Sequence, residues 1–236
     1  MVADQLFATW QAPFPDIRWS GEPPFPALAH LSLRLKTFRA LLRRAFPEPA
    51  GLSALDIGAG PGHFARIATR HGFDVTAIDA RPPWTLSSSA GEAAQDRRED
   101  FRRVQGDIRE FDDLDRFDVI FAIGIIYHLP VADQLTLLRR CAGRPLVIDT
   151  EVYRPEFIPA DRAWRFRAVR SRQGYDGALC IETGNVWSSN GDTESFWFSD
   201  ESLPRALADT GHSGIVRLDP GYRSAFGLRR WCIATP

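Results

Sequence analysis

Gly58, Gly60 and Gly62 fall within five residues, directly after an apolar run that carries Asp56. Glycines spaced this way between a strand and a helix let the chain turn sharply and bring backbone N–H groups up to a ligand at a helix N-terminus. A nucleotide-like ligand suits such a loop. A dinucleotide fingerprint would place its last glycine where His63 stands, and a phosphate loop would need Gly-Lys-Ser/Thr, whereas the only lysine is Lys36. Other polar residues stand at the ends of apolar runs in the same way: Asp79, Asp107 within Gly106-Asp107-Ile108, the pair Tyr127 and His128, then Asp149 and Glu151. An imidazole titrates near pH 6.5 when unperturbed, so His128 suits a general base; alternatively it caps the next helix or lines a pocket. Asp149 and Glu151 either orient a substrate hydroxyl or amine, or form a solvated strand end or a salt bridge to arginine. His63 is expected to pack beside the ligand or cap its helix.

These residues need a scaffold that brings strand ends together, and the hydrophobic pattern provides one. Leu52–Ile57, Phe73–Asp79, Phe101–Gln105, Asp118–Ile123 and Pro145–Thr150 read as buried strands; Gly62–His71 and Val131–Cys141 read as helices. Such alternation predicts a parallel sheet with helices on both faces. Ahead of it, Leu31, Leu35, Phe38, Leu41, Leu42 and Ala45 recur at helical spacing, with Arg34, Arg39, Arg43 and Arg44 assigned to other faces, until Pro47 ends the helix. After Glu201 a helix to Thr210 and strands near Gly214–Leu218 and Phe226–Ala234 complete the pattern, the last two as an antiparallel edge hairpin. The expected organisation is an N-terminal arm and cap helix over residues 1–50 and one α/β domain over 51–236, with a substrate-facing insertion at 151–200. Arg81–Asp100 is polar and poorly patterned.

From Leu52 to Thr150 the order of these features resembles the class I S-adenosylmethionine-dependent methyltransferases. That resemblance implies a Rossmann-like fold with a seven-stranded, mainly parallel sheet, and S-adenosylmethionine lying across the carboxyl ends of the first, second and fourth core strands. It assigns Asp56, Gly58, Ala59, Gly60 and Gly62 to the methionine end, and Asp79 with Ala80 to the ribose hydroxyls. Asp107 and Ile108 fall to the adenine, and Ala122, Ile123 and Gly124 to the mouth where the methyl group points. His128, Tyr127, Asp149 and Glu151 are then the catalytic candidates. "FDVIFAIGIIYHL", "LVIDTEVY" and "ESFWFSDESLPRALADTGH" are further similar in spacing to the tRNA uridine 5-oxyacetate-forming, carboxymethyl-transferring enzymes. Neither an Asn/Asp-Pro-Pro-Tyr/Phe string nor a Pro-Cys nucleophile follows the fourth strand, which disfavours methylation of DNA amino groups or of cytosine C5.

Composition narrows the partners. The formal charge is −1, with 29 basic and 30 acidic residues, so no whole-molecule attraction to nucleic acid or membrane is implied. All but one of the basic residues are arginine, the skew of a GC-rich bacterial genome. Cys141, Cys180 and Cys232 are odd in number, widely spaced and without ligand partners, which fits cytosolic thiols and no metal. "MVADQLFATW" has no basic-then-apolar leader, so a soluble cytoplasmic protein is expected. In the insertion, "RAWRFRAVRSRQGYDG" interleaves Trp164, Phe166 and Tyr175 with Arg162, Arg165, Arg167, Arg170 and Arg172. It is either an ordinary amphipathic helix or ribbon, or a surface for a planar or anionic substrate. The leading expectation is methylation of oxygen or nitrogen on a small molecule. RNA modification, particularly of tRNA, is the second, and a cofactor-binding regulatory subunit without turnover the third.

Overall fold

The computed structural model describes residues 8–10, 27–82, 100–184, 189–218, 224 and 227–236. Its strands are β1 (Ala8–Trp10), β2 (Ser53–Ile57), β3 (Asp74–Asp79), β4 (Arg102–Gln105), β5 (Val119–Ile123), β6 (Leu146–Val152), β7 (Phe166–Arg172), β8 (Tyr175–Ile181), β9 (Glu194–Phe198), β10 (Gly214–Leu218) and β11 (Leu228–Thr235). The α-helices are α1 (Ala27–Ala45), α2 (His63–His71), α3 (Val131–Cys141) and α4 (Ser202–Asp209). Seven strands form the expected sheet and β1 adds an eighth, in the order β4-β3-β2-β5-β6-β11-β10-β1. All run parallel except β11, which is antiparallel to both neighbours. This order carries β2 and β5 side by side at the sheet centre, where strand ends open on one crevice.

Each sheet face has its own apolar cluster. Under α1 and α2, Phe38 meets Phe64 and Phe121 edge-on at 5.4 and 5.2 Å, with Leu41, Leu42, Ile67 and Trp231 buried around them. On the other face α3 and α4 bury Leu135, Leu138 and Leu207 against Ile120, Ile148 and the aromatic side chains of β9. Fully burying side chains of this size stabilises by about 1.5–3 kcal/mol each.

Three boundaries differ from the sequence expectation. β6 runs on to Val152, so residues 151 and 152 of the expected insertion continue the buried strand, where they pair with Arg229 and Leu228 of β11. β11 begins at Leu228, and Phe226 lies outside the described residues, as do residues 11–26 of the arm and 83–99 of the polar segment. The 10–11 hairpin forms, but β11 sits inside the sheet and β1 takes the edge beyond β10. The insertion is a ribbon: β7, β8 and β9 form a separate antiparallel sheet. Buried Gln134 staples it to the domain, its Nε2 donating to the carbonyls of Leu129 at 2.7 Å and Phe196 at 2.6 Å. Among the described residues no helix is long and apolar enough to cross a membrane, and no group of His, Cys, Asp and Glu could hold a metal ion.

Candidate active site

The glycine loop turns as its spacing requires. Gly58, Gly60 and Gly62 have φ of 65, 53 and 77°, a left-handed region that costs other residues energy. Crowding adds to this: a Cβ on Gly58 would lie 2.8 Å from Ile125, and one on Gly62 2.5 Å from the Phe101 ring. Asp79 locks the loop, accepting from Gly60 N through Oδ2 and from Arg81 N through Oδ1, both at 2.8 Å. Arg103 closes the far side by donating to the Gly60 carbonyl at 2.9 Å. Each Asp79 oxygen has a second lone pair, so the carboxylate can still accept from ligand hydroxyls.

Beneath the loop, Asp56 is 1% exposed and its Oδ2 is buried without a hydrogen-bond partner. Burial pushes its carboxyl up to about 7, against a hydrogen bond from the Ala65 backbone. Ala59 packs in the α1/α2 cluster, and Ala80 is half-buried at the end of β3. Asp107 is held by Arg109, whose Nη2 lies 2.6 Å from Oδ2, and this bond keeps its carboxyl below the usual range. Ile108 is buried in the α3/α4 cluster. The pleat of β5 sends the side chains of Ala122 and Ile123 to opposite apolar clusters, so these positions offer a ligand backbone rather than side chain. Gly124 follows β5 in the left-handed region, with φ of 86°.

Asp149 and Glu151 are 0 and 2% exposed and paired with arginine, the second of their two expected roles. Arg229 donates from Nε to Asp149 Oδ1 and from Nη1 to Glu151 Oε1, each at 2.6 Å. Arg34 donates from Nε to Asp149 Oδ2 at 2.6 Å. Burial raises the Asp149 carboxyl, but the two guanidiniums outweigh it and hold it below the usual range; burial leaves Glu151 above its own. Burial, and then the same two arginines, push the His30 imidazole down to about 3.

Arg34 was assigned to an outer face of α1, yet it lies in the crevice. Its spacing of four from both His30 and Phe38 puts it on the buried stripe, a signal available in the sequence. Its guanidinium covers the Phe64 ring at 5.0 Å and its Nη2 is 2.6 Å from where a Cβ of Gly124 would be. Among the described residues its two Nη groups have no hydrogen-bond partner. His63 opens α2, its imidazole held low by burial and then by Arg66 and Arg34.

Tyr127 and His128 lie in a single 3-10 turn after β5, their rings 4.2 Å apart. Tyr127 abuts Trp197 edge-on at 5.3 Å, and Trp197 abuts Phe166 at 4.7 Å, so the inner face of the insertion walls this corner with aromatic rings. His128 Nδ1 is 3.4 Å from Oε1 of Glu182, a residue just beyond β8 for which no sequence pattern spoke.

Three kinds of likeness bear on this arrangement. Residues 29–143 match the family model of a methyltransferase domain. Over that stretch, just under half of the chain, the protein is similar to a methyltransferase domain. The ubiquinone biosynthesis O-methyltransferase of Rhodopseudomonas palustris is 36% identical over 121 residues, covering 47% of this chain and 45% of that one. A tRNA U34 carboxymethyltransferase of Actinobacillus succinogenes is 26% identical over 209 residues, 78% of this chain and 64% of the relative. The methyltransferase domain thus matches somewhat under half to two thirds of these relatives' length. In fold, it is similar to the crystal structure of the N-terminal domain of EvdMO1 with SAH bound, with a TM-score of 0.59 at 17% identity over 89% of this chain and 84% of that one. The cofactor of a class I methyltransferase domain is S-adenosylmethionine, and the chain's own residues fit it. An unpartnered buried carboxylate oxygen suits its amine, free guanidinium nitrogens suit its carboxylate, and the Asp79 lone pairs suit its ribose.

Proposed function

We propose that the protein is an S-adenosylmethionine-dependent methyltransferase that methylates an oxygen of a small molecule. The observation that carries the cofactor assignment is the unpartnered Asp56 Oδ2 beneath three left-handed glycines. Leaving a buried acceptor unsatisfied costs about 1–3 kcal/mol, a cost that a cationic amine donor would relieve. When bound, the cofactor supplies a sulfonium methyl group open to in-line displacement. The residues around it do the rest. Asp79 and the glycine loop fix the ribose and the backbone approach, and Arg34 at Gly124 neutralises a carboxylate. His128 takes the proton of the acceptor hydroxyl, because an alcohol oxygen becomes a good nucleophile only as that proton leaves. Tyr127, Trp197 and Phe166 exclude water and favour a planar acceptor. The O-methyltransferase name of the R. palustris relative supports oxygen as the acceptor atom.

A second assignment, modification of tRNA, is favoured by one observation. The insertion presents Trp164 at 65% exposure on the segment that also carries exposed Arg170 and Arg172, and the carboxymethyltransferase relative aligns over 78% of the chain. Calorimetry tests the shared core of both. S-adenosylhomocysteine is expected to bind in the micromolar range without competition from NAD; NAD binding in its place would overturn the assignment. Transfer of labelled methyl to small hydroxylated aromatics, and none to unmodified tRNA, would separate the two.

A further inference from the structure

We infer that Glu182 is a positioning residue for His128, fixing which ring nitrogen carries the proton; this rests on His128 being the base. The two residues come from different parts of the chain, His128 from the turn after β5 and Glu182 from the end of the insertion's central strand. Their 3.4 Å separation is long for a hydrogen bond, as catalytic contacts often are before the site closes on its ligands. The carboxylate cannot swing away. Ser195 Oγ donates to the same Oε1 at 2.5 Å, Ser189 N donates to Oε2 at 3.0 Å, and the side chain is 2% exposed. Burial works to raise the Glu182 carboxyl, but the bonds from His128, Ser195 and Ser189 prevail and hold it below the usual range.

An ionised carboxylate only accepts, so the imidazole must present Nδ1–H to it, which leaves the lone pair on Nε2. Nε2 is then the atom that takes the acceptor's proton, while the carboxylate stabilises the imidazolium that results. A merely structural tie between insertion and domain would be redundant, because Gln134 already bonds both Leu129 and Phe196. Tyr127 on the same turn stacks near the ring, and Ser195 from β9 reaches Glu182 rather than the imidazole. Arg229 from β11 lies behind the Tyr127 ring at 5.3 Å, so among the described residues the charge paired with His128 is Glu182.

Nitrogen-15 NMR of the full chain tests this without any acceptor. The chain has five histidines, and the signal lost in His128→Gln identifies the ring. At pH 8 the wild-type His128 should show a protonated Nδ1 and an unprotonated Nε2. In Glu182→Gln and Glu182→Ala the proton should move substantially to Nε2, with S-adenosylhomocysteine affinity within about twofold of wild type as the measure of an intact fold. A wild-type proton on Nε2, or a tautomer unmoved by both substitutions, would overturn the proposal, and the first of these needs no variant to fold. The spectrum bears on the pair alone, whereas turnover of His128→Gln bears on the base, so the two failures are separable.

Discussion

Gln134 donates to the carbonyl oxygen of Phe196 at 2.6 Å, across 62 residues of chain. The same Nε2 serves Leu129, the residue after His128, whose carbonyl also accepts from Phe196 N at 3.1 Å, so the buried amide reinforces a direct backbone tie between the catalytic turn and the insertion. Gln134→Ala removes both bonds and leaves a cavity, and should destabilise the domain by about 2–4 kcal/mol in urea unfolding. A variant as stable as the wild type would show that the staple is dispensable.

Asp56 should trade stability against binding. Its folded carboxyl is raised to about 7 from an ordinary 3.8, so the folded chain holds that proton more tightly than the unfolded one. Stability from this group is therefore present in full below about pH 4 and is lost as pH rises through about 7. Asp56→Asn removes the dependence. Without cofactor it should unfold at higher urea than wild type at pH 8, by at most about 4 kcal/mol, and show no such gain near pH 4. With the anionic partner of the amine gone, S-adenosylhomocysteine affinity should drop about tenfold. Destabilisation at every pH would contradict this account.

Asp79→Ala should weaken both cofactor and fold. The carboxylate bonds two backbone N–H groups of the loop and its flank, and their loss costs roughly 2–4 kcal/mol in thermal or urea unfolding. Calorimetry should show S-adenosylhomocysteine affinity down by tenfold or more. Normal stability with weak binding would mean that the loop holds its shape unaided.

His128→Ala and His128→Gln should each lower turnover about a hundredfold while leaving cofactor affinity intact. Glutamine keeps polarity and size but takes no proton near neutral pH. If Gln retained most activity, alignment of the reactants would account for the rate, and the imidazole would be no more than part of the wall.

Much of this was legible before any coordinates. Apolar runs of strand length closed by Asp56, Asp79 and Ile123 gave the central sheet, because burial on both faces leaves no alternation to confuse with a helix. The glycine loop was legible because left-handed backbone has few other solutions. What lay hidden depended on partners distant in sequence. Asp149 and Glu151 look like site carboxylates until β11 places Arg229 opposite them, its Cα in register with Glu151. Glu182 sits in a stretch with no period at all, and only the ribbon's return over the domain brings it to His128. Arg34 was the exception: its helical spacing already put it on the inner stripe, and its charge argued misleadingly for the outer face.

The placing of β11 between β6 and β10 has a consequence for synthesis on the ribosome. Asp149 and Glu151 leave the exit tunnel with β6, some eighty residues ahead of the Arg229 that bridges them. Until β11 arrives, the edge of β6 is open and Glu151 has no countercharge, Arg34 answering Asp149 alone, so the inner sheet cannot close over the pair without stranding charge in the apolar interior. Arrival of that strand joins β10 to the rest of the sheet and supplies the missing countercharge in one event. Nascent chains halted before residue 229 should therefore remain protease-sensitive through β6, and become resistant in a single step once the strand is free to insert.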